Sequence, residues 1–76
     1  MEKQEFIKNF ANQFDDTEAF VFTMETRFRE LEEWSSLVAL AVLNMIAKKY
    51  EVKLSPDEMK PTKTIQELYD LVLSKK

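Results

Sequence analysis

The sequence contains no cysteine, no histidine and no glycine, and only two prolines. Without cysteine there is neither a disulfide staple nor a thiolate site, and without histidine the commonest general base and metal ligand is gone. Most catalytic constellations are closed off by those two absences. The lack of glycine acts on the backbone: with no proline there either, the connection between the first helix and Trp34 carries no strong punctuation. Basic charge is also short, with 11 Lys and Arg against 14 Asp and Glu and a net charge of −3. That balance argues against nucleic acid as the main partner and favours basic protein surfaces. No stretch approaches membrane-spanning length, and no basic segment followed by a long apolar run opens the chain. A cytoplasmic protein without membrane insertion is expected.

What remains is a 76-residue chain that fits one domain, near the lower limit for an unaided apolar core. Phe6, Ile7, Phe10 and Phe14 share one helical face, with Glu2, Lys3, Lys8, Asn9 and Gln13 largely outside it, so a first helix is predicted over residues 2–14. Asp15-Asp16-Thr17 breaks that pattern and opens a long connection to Trp34. Phe20, Phe22, Met24, Phe28 and Leu31 are too apolar to be solvated together. The connection should therefore lie across a helical bundle, burying some of them, with a helical turn near Arg27 to Glu32.

Ser35 and Ser36 stand directly before Leu37, Val38, Ala39, Leu40, Ala41, Val42 and Leu43, an arrangement that reads as a helix start. Between Ser36 and Tyr50 the residues Ala39, Val42, Leu43, Ile46 and Tyr50 recur at three- and four-residue steps and form a core stripe. The opposite face begins with Leu37, Leu40 and Ala41, which are apolar too. Burial under the long loop and a partner-docking surface both account for them. Glu51-Val52-Lys53-Leu54 alternates as an extended link with Val52 and Leu54 inward. Ser55-Pro56-Asp57-Glu58 is a capping box with proline at the first helical position, and Pro61 ends that helix within about two turns. Thr64-Ile65-Gln66-Glu67 is a second capping box and opens a last helix with Ile65, Leu68, Tyr69 and Val72 on one face. The fold class expected is all-α, in the order helix, long loop, helix, short helix, helix.

A serine before an apolar helix is most often only a cap. It also sits where backbone amides and the helix dipole favour phosphate. If Ser35 is the cap, its hydroxyl turns back toward the amides of residues 37 or 38, and Ser36 at the first helical position points outward. The acid pairs Asp15-Asp16 and Asp57-Glu58 are too few and poorly spaced for a cation, so solvated turns are the reading for them and no metal site is assigned. No nucleophile has a base beside it, so an enzyme is not expected. Trp34 is read as packing under the loop.

The triplet Ser35-Ser36-Leu37, the long first loop with Phe28 and Leu31 before it, and the short third helix after Val52 and Leu54 together resemble the acyl carrier protein family, whose signature is Asp-Ser-Leu at the start of the second helix. The resemblance covers nearly the whole chain and implies a four-helix acyl-carrier-like bundle. It implies that Ser36 carries 4'-phosphopantetheine, attached from coenzyme A by a phosphopantetheinyl transferase. The arm's thiol would then hold acyl intermediates as thioesters in fatty acid or polyketide-type biosynthesis, presented by a monomer to acyl-transferring and chain-elongating enzymes. Ser35, Leu37, Leu40, Ala41 and Glu33 would form the docking face. The chain departs from the family in two places: Ser35 replaces the aspartate, and residues 37–50 contain no acid and end in Lys48-Lys49. Glu30, Glu32 and Glu33 would supply the negative field instead. The competing expectation is a helical adaptor that binds one partner through Leu37 and Leu40, or a degenerate carrier that is never modified.

Overall fold

Helix-forming stretches separated by apolar connections must bury their stripes against one another, and a computed structural model describing residues 2–76 shows how they do so. The described residues form α1 (Lys3–Ala11), α2 (Ser36–Tyr50), α3 (Pro56–Met59) and α4 (Ile65–Lys75), with single 3₁₀ turns at Ala19–Val21 and Phe28–Glu30 and no strand among them. The element order is the one read from the sequence. Residues 12–35 form the long connection, and the 3₁₀ turn at Phe28 falls within the span expected to be helical.

The first helix is shorter than its apolar spacing predicts, ending at Ala11 rather than Phe14. Phe14 is nevertheless buried, because tighter turns carry the backbone on: Gln13 N–H donates to the Phe10 carbonyl and Phe14 N–H to the Ala11 carbonyl. Asn9, placed outside the apolar face by its spacing, is buried as well. Its Nδ2 donates to the Tyr50 hydroxyl at 2.9 Å, joining α1 to the end of α2. Tyr50 titrates above its ordinary range because burial disfavours the phenolate, an effect the Asn9 bond partly opposes.

On α2 the core stripe behaves as its period requires. Val42, Leu43 and Ile46 are buried, Met45 joins them, and Ala39 and Tyr50 are half-buried. Each fully buried aliphatic side chain is worth about 1.5–3 kcal/mol, so this one helix supplies a large share of the drive to fold. It ends at Glu51, which takes φ 58° and ψ 34°. That is the left-handed conformation usually given to glycine, and this chain has none to place there.

Val52 and Leu54 then point inward as expected, and both halves of the Ser55 capping box form: Glu58 N–H donates to Ser55 Oγ and Ser55 N–H to Glu58 Oε1. At α4, Thr64 Oγ1 accepts from Glu67 N–H, but the Glu67 carboxylate reaches one residue further and takes the Lys63 N–H. The first two amides of α4 are capped from afar. Ile65 N–H donates to the Thr26 carbonyl and Gln66 N–H to the Met24 carbonyl, so the long connection fastens to the last helix.

The core is one continuous cluster in which aromatic rings are prominent. Phe10 lies 5.5 Å from Phe14, 6.0 Å from Phe22 and 5.4 Å from Phe28, measured between ring centroids, and Phe6 meets Tyr69 edge-on at 5.4 Å. The radius of gyration is 11.1 Å. A folded chain of this length is expected at about 11.4 Å, so the long connection is packed into the globule rather than trailing from it. Among the described residues no helix is long and apolar enough to cross a membrane.

Candidate functional site

The start of α2 gathers most of the residues singled out in the sequence. Ser35 is extended at φ −155° and ψ 174° and is the N-cap: its Oγ accepts from Val38 N–H at 3.3 Å, and its carbonyl accepts from Ala39 N–H at 2.9 Å. Ser36 is the first helical residue and is exposed. Both serines are exposed, and they differ in that the Ser35 hydroxyl is bonded back onto the helix. The amides of Ser36 and Leu37 precede the intrahelical ladder, so the partial positive charge of the helix end lies beside the free hydroxyl.

Leu37 is 80% exposed and Leu40 53% exposed. Burial under the long loop, one of the two accounts open from the pattern, is therefore not what happens to them. Ala41 is half-buried, and Lys48 closes the same face in solvent. An apolar step thus rises directly behind Ser36.

Glu33 is placed differently from a free docking side chain. Its Oε2 accepts from Asp15 N–H at 2.6 Å, and its Oε1 from Asp16 N–H and Thr17 N–H, both at 3.0 Å, and from Thr17 Oγ1 at 2.8 Å. One carboxylate so gathers the amides at the start of the long connection to its end. These donors hold Glu33 below the usual carboxylate range, the Asp15 amide most strongly, with partial desolvation opposing them. Asp15 and Asp16, read as a solvated turn, are exposed and contribute backbone rather than carboxylates to this clasp. Acidic side chains crowd residues 15–33, where Arg27 and Arg29 are the only bases, and α2 itself carries no acid.

Beside Ser36 lies an open groove of about 480 Å³ between α2 and α3, with Ser36, Leu40 and Leu43 on one side, Met59 and Lys60 on the other and Trp34 at the loop end. That volume falls within the range of small-ligand clefts. Trp34 both packs and lines: its ring is 4.8 Å from Phe28 and stacks at 28° over Phe14, and the residue borders the groove.

Arg29 was not indicated by any local pattern, yet it organises this region. Its Nη2 donates to the Met59 carbonyl at 2.8 Å and its Nε to the Thr62 carbonyl at 3.0 Å. Its guanidinium carbon sits 5.4 Å from the Phe28 ring centroid and 6.0 Å from that of Trp34. The acceptors lie 30 and 33 residues away, so no window of sequence contains both ends of the contact.

Among the described residues no group of acids is gathered closely enough to hold a metal ion. Glu58 is instead paired with Lys75 and bonded to the Ser55 amide, and the lysine chiefly holds it below its ordinary range. Compared with known proteins, the chain matches no family model, no curated protein and no solved structure.

Proposed function

We propose that this chain is an acyl carrier of the four-helix acyl-carrier-like type, with Ser36 as the residue that would bear 4'-phosphopantetheine. The observation that carries the reading is the division of labour between Ser35 and Ser36: the first hydroxyl caps α2, and the second stands exposed at the helix start. A phosphodiester at Ser36 Oγ would be favoured by the first-turn amides and the helix dipole, and no acid on α2 opposes it. When bound, the arm supplies a thiol that holds an acyl group as a thioester. The chain's own part is to present the hydroxyl, tolerate the phosphate and offer a surface to a phosphopantetheinyl transferase and to acyl-transferring and chain-elongating enzymes. Leu37 and Leu40, with the acidic loop beside them, support that last role.

The test is an intact mass after incubation with coenzyme A and a broad-specificity phosphopantetheinyl transferase. The expected result is addition of one arm, lost in Ser36→Ala and retained in Ser35→Ala. An unchanged mass in the folded wild-type protein favours the second reading, a helical adaptor or unmodified carrier-like domain. The exposure of Leu37 and Leu40 supports that reading too, because an apolar step suits a bound partner with or without an arm.

A further inference from the structure

Between Leu54 and Thr62, both buried, the chain sends only Met59 into the core. The four-residue helix α3 in that segment is too short to be stable on its own backbone bonds. Two side-chain clasps hold it from outside: Arg29 grips the Met59 and Thr62 carbonyls, and Lys75 of α4 grips Glu58. Met59 and Lys60 of the same segment form one wall of the groove beside Ser36, and Arg29 and Trp34 stand at its end. A segment with one core anchor and two peripheral clasps opens at a lower free energy than the helices flanking it.

We propose that residues 55–62 form a flap over the groove at Ser36, and that Arg29 is the positioning residue that latches it and sets the groove's width. The latch is rigid because the guanidinium is braced against two rings, Phe28 and Trp34, while it donates. Thr62 Oγ1 and Thr62 N–H also bond the Met59 carbonyl, so that turn keeps its own bonds when Arg29 is released, whereas the one-turn helix before it, whose Met59 and Lys60 amides reach only Ser55 and Pro56, frays open. This holds whether or not Ser36 is modified.

Amide hydrogen exchange on the wild type, Arg29→Met and the surface control Arg27→Met tests it. Loss of the charged donor should speed exchange at Met59 and Lys60 about tenfold or more while Val42 to Ile46 of α2 stay unchanged, and Arg27→Met should match the wild type. Glu58→Gln, which weakens the other clasp, should loosen the same amides to a lesser degree. Trp34 is the only tryptophan and borders the groove, so acrylamide quenching should rise in Glu58→Gln, which loosens the segment without removing the guanidinium that lies over the ring. Unchanged exchange at α3, acceleration spread evenly over α2 and α4, or faster α3 exchange with unaltered quenching would each overturn the proposal. If Arg29→Met does not fold, Arg29→Lys, which keeps the charge but lacks the planar fork that reaches both carbonyls, decides it by the same exchange measurement.

Discussion

At residue scale, identical side chains a position apart acquire different tasks from backbone geometry alone. Ser35→Ala removes a cap and should destabilise the protein by about 1 kcal/mol in urea melts, whereas Ser36→Ala should leave the midpoint nearly unchanged. Equal losses from the two variants would contradict the assignment of roles. Glu51 shows the opposite situation, a side chain tolerated where none is wanted. At φ 58° its Cβ crowds the backbone, so Glu51→Gly should raise stability by roughly 0.5–1 kcal/mol, the relief in the folded state exceeding the added freedom of the unfolded chain. The signal for this position was in the sequence only as an absence: a helix had to end somewhere after Tyr50, and no glycine was available to end it.

At the scale of elements, the long connection is held by clasps that no short motif announces. Glu33 fastens its two ends, its central carbonyls cap α4, and Arg29 ties it to α3. The Glu33 clasp makes a definite statement about pH. Because the folded state holds this carboxyl below its ordinary value of 4.5, its contribution is fully present above that value and is lost as the pH falls through the lowered one. Glu33→Gln should therefore melt below the wild type near neutral pH, and the gap should shrink as the buffer is acidified below about pH 4. A gap constant across that range would show that the loss does not depend on ionisation of the Glu33 carboxyl. Glu58 acts in the same direction through Lys75, so acidification loosens α3 and the loop together. Capping at α2 and α3 was legible because cap and amide are three residues apart. Glu67 departed from its expected partner by one residue, a difference that spacing alone does not resolve.

At the scale of the whole molecule, a small domain leaves little margin, and the two kinds of phenylalanine in the long connection measure it. Phe28 is fully buried among Phe10, Trp34 and Arg29, so Phe28→Ala should cost about 3–5 kcal/mol, enough to leave much of a marginal domain unfolded. Phe20 is 82% exposed, and Phe20→Ala should fall within about 0.5 kcal/mol of the wild type by the same chemical denaturation. The sequence alone determined the helical class, the order of elements, the limits of α2 and the two serines at its start, because each follows from contacts a few residues apart. Tertiary structure decided what depended on distant groups: Phe20 outside and Phe28 inside, Asn9 buried on Tyr50, Glu33 spent on the loop, Leu37 and Leu40 left in solvent, and Arg29 closed over α3. Hydrophobic pattern fixes which side chains favour burial, but the area of the core is limited, and only the packed arrangement of all elements settles which of them find room in it.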